Sequence, residues 1–513
     1  MNDHSARNEA ARTRGPSMSA ELRSAQQAML DAVDYKSWRE AAAELDRIQG
    51  LAEWKLEEAS EEYDWRLIRS RLRQIRQLRN EGNAIRLAHH LRQGLHWNLG
   101  NIGNPELYRV ARIGTKKLIH DYVQEVCDAL EWLVDAEAEG WALSDKLKFF
   151  HDVALSYGRS ALMLSGGATL GLFHVGVVRA LYREGVLPTV MSGSSAGAIV
   201  ASTVGTRKVE DLEDLLDPQN AYYHFWRVLP FRQMFKRGSV MDQTQLRRAV
   251  AKNIRDLNFE DAYKVSGRVL NITVSPAGVN QQPKLLNYLT LPYLFVREAV
   301  LASCAVPILF PPVMLMTADE TGARVPYMPL LRWNDGSLKS DLPMLRLRRL
   351  HNVNHFIVSQ TNPHVLPFMS EREPGGRGLF NSARDYTYST VRSQATSLIS
   401  FARANVPIKQ FRRPFDVATS ILDQDYRGNI NITPEASLWR YAKVTSNPTM
   451  DNVYRFMLEG ERAAWARIEM IRTQTAISLT LERCLEAVEL QATQGAGNRR
   501  TATRARLHVV RRG

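Results

Sequence analysis

The chain has 513 residues, 44% of them hydrophobic and 24% charged, with a formal net charge of +13. That balance excludes a disordered or fibrous chain and leaves room for two or three domains with ordinary cores. Cys127, Cys304 and Cys484 are too few and too scattered for a disulfide framework or a metal knuckle, and they point to a reducing compartment.

Met1 to Pro16 lacks the apolar core of a secretory signal, and no run approaches the ~20 apolar residues of a membrane span. The expected location is cytoplasmic, free or peripheral on a lipid surface. No nucleic-acid module is recognisable and the aromatics are not interleaved with basic residues, so no nucleic-acid partner is expected. The positive balance fits either attraction to anionic interfaces or solubility alone. Oligomeric state is not legible.

Residues 1–20 are polar and are expected to be a disordered leader. Residues 21–157 carry a helical pattern almost throughout. Trp65, Ile68, Leu72 and Ile75 recur at helical spacing, with Arg66, Arg69, Arg73 and Arg76 on other faces. Such a helix either lies on a lipid surface or packs with a wet basic side, and the second reading is slightly favoured. Gly94 to Pro105 reads as a loop, and Lys117 to Ala138 as a longer helix through Tyr122, Val126, Leu130 and Leu133.

Ala161-Leu162-Met163-Leu164 reads as a buried strand entering Ser165-Gly166-Gly167-Ala168-Thr169-Leu170-Gly171, with a helical pattern from Leu172 to Leu181. Glycines at a helix N-terminus let N–H groups converge on an anion. The anion is either a dinucleotide pyrophosphate or an oxyanion on a reacting group. A dinucleotide site wants an acidic residue at the end of the second strand, roughly 20 residues on. From Gly185 to Lys208 there is no Asp or Glu, which favours the oxyanion.

In that place stands Gly193-Ser194-Ser195-Ala196-Gly197, between the apolar run Leu187 to Met191 and the small-residue helix Ala196 to Val204. A G-x-S-x-G between strand and helix forces a sharp turn. Gly193 and Gly197 let helix and strand approach, and Ser195 is presented at the helix N-terminus. Strands near Leu162, Val190, Leu270 and Ile357 alternate with helical stretches such as Val296 to Ser303, which predicts a parallel sheet covered on both faces.

Tyr222 to Phe235 mixes aromatics with Arg227, Arg232 and Lys236, and reads equally as a lid or docking surface and as a core helix capped by solvated arginines. Trp333-Asn334-Asp335-Gly336-Ser337 is a turn signal. A serine nucleophile needs a base. The histidines after Ser195 are His224, His351, His355, His364 and His508, and none sits in a catalytic signature. His355, inside the strand pattern His355-Phe356-Ile357-Val358, reads as packed. A dyad in which Asp335 serves Ser195 directly stands beside the usual histidine triad. The segment 366–490 reads as loops and helices, with Trp439 and Trp465 as packing residues. The segment 491–513, rich in arginine, reads as a disordered basic tail.

A glycine loop, a G-x-S-x-G about 25 residues later and a distant Asp-Gly resemble the patatin-like phospholipase family. The variant loop Ser165 to Gly171 followed by Phe173-His174-Val175-Gly176-Val177 resembles its triacylglycerol lipase branch of yeast, plant seeds and bacteria. So do Ala305-Val306-Pro307, Phe310-Pro311-Pro312, Asn352 to Gln360 and Ile430 to Pro434, and the likeness covers roughly residues 50–470. Where the commonest family loop has a third glycine and a basic residue, this chain has Ala168 and Leu170; after the aspartate it has Gly336-Ser337.

The resemblance implies a three-layer α/β/α sandwich with a mostly parallel sheet over residues 158–365. The other parts are a helical N-terminal domain and a C-terminal extension packed on the catalytic domain. It implies a Ser–Asp dyad without a catalytic histidine, with Ser195 as nucleophile and Asp335 as base. Gly166, Gly167 and Ala168 would be oxyanion donors, and Gly171, Gly193, Gly197 and Gly336 motif glycines. No metal or other cofactor is expected. The implied activity is hydrolysis of lipid esters, of triacylglycerol or phospholipid type. Acyl transfer and non-catalytic lipid-surface binding are the alternatives.

Overall fold

The computed structural model describes residues 16–278, 282–363, 365–366, 426–435 and 443–510. Residues 1–15 of the expected leader, His364, Trp439 and most of the segment 366–425 lie outside the described residues. The chain divides into two compact units, Met1–Arg159 with Glu469–Gly513, and Ser160–Ile468.

The first unit is helical. Its helices begin where short polar side chains satisfy free N–H groups: Asp34 accepts from Ser37 N at 2.7 Å, Asp64 from Leu67 N at 3.0 Å and Asn83 from Arg86 N at 3.1 Å. Helix Trp65–Asn80 buries Ile68, Leu72, Ile75 and Leu78. Much of its basic side is neutralised. Arg76 and Arg79 both pair with the buried Glu125, at 3.0 and 2.8 Å, and Arg69 pairs with Glu58. This is the packed helix rather than the interfacial one.

Two boundaries differ from expectation. Helix Ile468–Val510 runs through the segment read as a disordered tail, whose Ala, Gln and Arg are good helix formers. From Glu469 onward it belongs with the N-terminal helices instead of the catalytic unit. Tyr35 Oη donates to Glu469 at 3.0 Å and Arg483 pairs with Glu131 at 2.9 Å. These partners are hundreds of positions away, beyond any local pattern.

The second unit is built on a mixed, mostly parallel sheet. Its members are β1 (Arg159–Leu164), β2 (Val190–Gly193), β3 (Val269–Pro276), β4 (Lys284–Leu286), β7 (Trp333–Asp335), β8 (Val353–Ser359) and β9 (Ile430–Ile432), in the order β4-β3-β2-β1-β8-β9. A separate two-stranded ribbon joins β5 (Met316–Ala318) to β6 (Arg324–Pro326). β1 and β2 are parallel, with Leu164 opposite Gly193, and so are β2 and β3, with Gly193 opposite Ile272. Their near-continuous apolar runs are those of strands buried on both faces.

The topology at β3 brings the two distant motifs together. Val274 pairs with Lys284 of β4 and also with Asp335 of β7, both antiparallel. One residue pairs with two strands only on its two opposite edges. β7 therefore lies on the β2 side and occupies the lane that β2 leaves at Gly193.

Helices cover the sheet, giving the α/β/α layering. One face packs Ala161, Met163, Val190 and Val269 with Leu347 of helix Met344–His351. Helices Ala196–Gly205 and Val296–Ser303 lie against β3. Helix Met450–Trp465 crosses helix Leu172–Arg183 through two glycines. A Cβ on Gly176 would sit 1.9 Å from Met457 O, and one on Gly460 would sit 2.1 Å from Phe173 O. Arg179 forks onto the buried Glu461 beside this crossing, at 2.6 and 2.7 Å.

Gly460→Ala on an open helix is worth about 1 kcal/mol in favour of folding. At this crossing the sign reverses, because two backbones must separate, and a net loss of ~1–3 kcal/mol is expected. Thermal denaturation checks it; a raised Tm would mean that the backbones are not in contact.

Candidate active site

β1 and β2 end side by side, and both following segments turn onto the same point. After Gly193 the chain reverses through Ser194, whose N–H donates to Leu164 O at 3.1 Å, and Ser195 takes φ 51° and ψ −118°. That is a left-handed conformation costly for a residue with a side chain, by ~1–3 kcal/mol, and such strain collects where a side chain must be aimed. The flanking glycines make the turn feasible. A Cβ on Gly193 would lie 2.4 Å from Gly197 O, and one on Gly197 would lie 2.1 Å from Leu164 O. Ser195 then stands at the N-terminus of helix Ala196–Gly205, its own N–H donating to Ser303 Oγ at 2.9 Å.

The glycine loop after β1 is held from below. Ser165 N donates to Ser359 O at 3.1 Å, and Thr361 donates from its N–H to Ser165 Oγ at 2.8 Å and from Oγ1 to Gly166 O at 3.0 Å. The buried His174 braces the same turn. Its Nε2 is 3.0 Å from Ser165 O, an acceptor only, so Nε2 carries the proton and Nδ1 faces Ser359 Oγ at 2.7 Å. Burial pushes this imidazole down to about 4, so it stays neutral.

Of the three expected oxyanion donors, Gly166 is corrected. Its N–H donates to Asp341 Oδ1 at 2.9 Å and is thereby already occupied. Gly167 and Ala168 line the cavity instead, and among the described residues neither of their N–H groups meets a protein acceptor. Ala168 adopts φ 52°, the left-handed region in which the glycine of the commoner family loop is at ease. Gly171 permits the contact between loop and nucleophile helix, since a Cβ there would meet Ala196 Cβ at 2.5 Å.

Asp335, at the end of β7, is fixed by its N–H to Ala305 O at 3.0 Å, and its Oδ1 accepts from Ser337 N at 2.8 Å. Gly336 must be small, because a Cβ would fall 2.3 Å from Thr273 O. Burial pushes the Asp335 carboxyl up to about 6, and the N–H and hydroxyl of Ser337 and the hydroxyl of Ser195 pull it only partly back. Asp335 Oδ2 nonetheless remains buried without a hydrogen-bond partner among the described residues. A nucleophile and base that adjoin in this way tighten on substrate in many hydrolases.

Ser195, Asp335, Gly167 and Ala168 share one cavity of about 300 Å³, whose walls include Leu172, Val175, Ile199, Val200, Leu309 and Phe310. No described histidine lines it. His355 lies at the other end of the sheet, Nδ1 2.9 Å from Ser160 Oγ near the start of β1, and His351 Nε2 faces Asn271 Oδ1 at 2.9 Å. Cys304 also lines the cavity, donating from Sγ to Ser195 O at 3.4 Å; burial pushes its thiol well above the ordinary range and keeps it unreactive.

The aromatic and basic segment divides. Tyr222, Tyr223, Phe225 and Trp226 are cavity wall, with Trp226 Nε1 donating to Thr169 Oγ1 at 2.9 Å, whereas Phe231 and Phe235 are 74% and 77% exposed.

Ser303, Thr361, Asn362 and Asp341 escaped the sequence reading. Asn362 and Thr361 follow β8 at its carboxyl end, where such sheets place ligands, and that rule alone could have pointed to them.

Residues 162–347 match the family described as patatin-like phospholipase, and residues 17–155 match a domain of unknown function, DUF3336. The chain is 33% identical over 480 residues to "Triacylglycerol lipase SDP1L" of Arabidopsis thaliana, 89% of this chain and 58% of that protein. It is 35% identical over 467 residues to "Triacylglycerol lipase ptl3" of Schizosaccharomyces pombe, 88% of this chain and 94% of that protein. To "Triacylglycerol lipase 4" of Saccharomyces cerevisiae it is 34% identical over 484 residues, 89% of this chain but 52% of the other. The chain thus spans little more than half of two of these relatives and nearly all of the third. It belongs to the patatin-like phospholipase family, with a DUF3336 region ahead of that domain.

Proposed function

We propose that the chain is a serine acyl hydrolase of lipid esters, working by a Ser195–Asp335 dyad. The observation that carries this is the meeting, in one apolar cavity, of a serine held in a strained turn and a buried carboxylate with an unpartnered oxygen. Asp335 Oδ2 takes the Ser195 proton as Oγ attacks the ester carbonyl. The N–H groups of Gly167 and Ala168 and the N-terminus of helix Ala196–Gly205 receive the negative charge on the former carbonyl oxygen, and the alcohol departs with the proton. Water, deprotonated by the same carboxylate, then releases the fatty acid. Each such donor is worth roughly 3 kcal/mol of barrier.

The apolar walls suit an acyl chain, and the names of the relatives favour triacylglycerol over phospholipid. Fatty acid release from a trioleoylglycerol emulsion and from phosphatidylcholine vesicles tests both. Release from the emulsion alone is expected, and release from neither overturns the reading.

Peripheral contact with a lipid surface belongs to the same proposal. No helix among the described residues is long and apolar enough to cross a membrane. Val228 and Ile308 are 60% and 79% exposed, beside Phe231 and Phe235 on helix Phe231–Arg237. Arg232 and Lys236 are exposed on that helix. The patch is tied to the cavity, because Val240 N donates to Ile308 O at 3.1 Å and Met241 N to Leu309 O at 2.9 Å, and Leu309 is cavity wall.

An apolar edge with basic flanks fits an anionic lipid interface. Phe231→Asp with Phe235→Asp is expected to cut release from an emulsion containing phosphatidylserine at least tenfold and to leave turnover of a water-soluble ester unchanged. Equal loss on both substrates would count against docking here.

A further inference from the structure

Asp341 is a carboxyl, buried to 1% exposure and six positions from the base, that the chemistry above leaves unused. It holds two other pieces of chain. Its Oδ1 accepts from Gly166 N, in the loop after β1, and its Oδ2 accepts from Asn362 Nδ2, in the segment after β8. Across the same space Gly166 leaves no slack, since a Cβ there would sit 3.0 Å from Asn362 Oδ1 and 3.0 Å from Ser337 Cβ. One carboxylate thus joins the turn that carries the base to the residue preceding both oxyanion donors.

We infer that Asp341 is a positioning residue for the reaction: its carboxylate clamps the oxyanion loop to the base-bearing turn. The inference rests on the dyad proposed above. Both oxygens of Asp341 act as acceptors from N–H groups, the arrangement of an ionised carboxylate, and it holds Gly166 so that Gly167 and Ala168 face the cavity.

Burial above all pushes the Asp341 carboxyl up to about 7, the like charge of Asp335 adds to it, and the N–H groups of Gly166 and Asn362 pull it partly back.

Asp341→Asn keeps the size and an acceptor for Gly166 N while removing the charge. Asp341→Ala removes the clamp. The readouts are kcat and KM on a water-soluble ester and the rate at which a fluorophosphonate labels Ser195. Asp341→Asn, which still offers Gly166 N an acceptor, is expected to keep kcat and labelling within tenfold of wild type and above those of Asp341→Ala. Asp341→Ala is expected to lose kcat 10- to 100-fold with KM within twofold, because a loop misplaced by a fraction of an ångström strikes the transition state and not ground-state binding.

An Asp341→Asn protein as slow as Asp341→Ala overturns the role of the acceptor that holds Gly166 N. A loss confined to Tm or KM in Asp341→Ala overturns the positioning role. A wild-type protein whose Ser195 is not labelled at any pH sinks the dyad itself, a result distinct from either.

Discussion

Ser195→Ala is expected to lower kcat/KM on any ester by at least about 10⁴-fold, with melting temperature little changed, and Asp335→Asn to do the same by a different route. The alanine removes the only atom that can attack; it keeps the Cβ and therefore keeps the strain of φ 51° as well. Its oxyanion donors survive, since Gly167 and Ala168 are placed by the loop after β1 and not by the serine. The residual rate should therefore still exceed that in water.

The asparagine keeps the acceptor for Ser337 N but has nothing basic to offer the hydroxyl. His355→Ala separates the dyad from a triad. That ring contacts Ser160 and lines no part of the cavity, so a folded variant should keep activity within tenfold. A folded His355→Ala protein without activity would restore the triad. Full activity in Ser195→Ala would end the serine mechanism.

What could be read from the sequence was whatever the chemistry imposes on one residue type at one place. Gly193 and Gly197 announce themselves because a Cβ at either would collide with backbone, and Ser195 because it sits between them. Strands β1, β2, β3 and β8 were legible as runs buried on both faces. β4 and β7, three residues each, are shorter than any periodicity can register, and β7 exists mainly because β2 vacates its lane beside β3. Asp335 was nevertheless found, through its Asp-Gly turn and the family resemblance rather than through its strand.

Asp341 could not be found. Its partner is a backbone N–H 175 positions away, and an aspartate that binds a peptide group leaves no pattern around itself. The same fact misled the assignment of Gly166. Three consecutive small residues look equivalent as donors in sequence, and only the fold reveals that one of the three N–H groups is already taken. The long C-terminal helix is a parallel case, for its place with the N-terminal helices depends on Tyr35 and Glu131 meeting Glu469 and Arg483.

Asp335→Asn is also expected to make the protein more stable at pH 8 while leaving it little changed at pH 4. The carboxyl is buried and raised from its ordinary value near 4 to about 6. The folded state therefore holds a proton over a pH range in which the unfolded chain has already released it. Stability then falls as pH rises through that window, and the contribution is lost once the pH exceeds the folded value. Two units correspond to about 3 kcal/mol, an upper bound on the gain from an uncharged isostere.

Above pH 6 the wild type keeps an ionised carboxylate in an apolar cavity with one oxygen unpartnered, and that is the form the mechanism needs as a base. Urea denaturation of wild type and variant at pH 4, 6 and 8 reads the effect directly. The difference should grow with pH and flatten above about 7. Equal stability at all three would mean that the carboxyl is solvated, and a solvated aspartate would be too weak a base to carry the dyad without help.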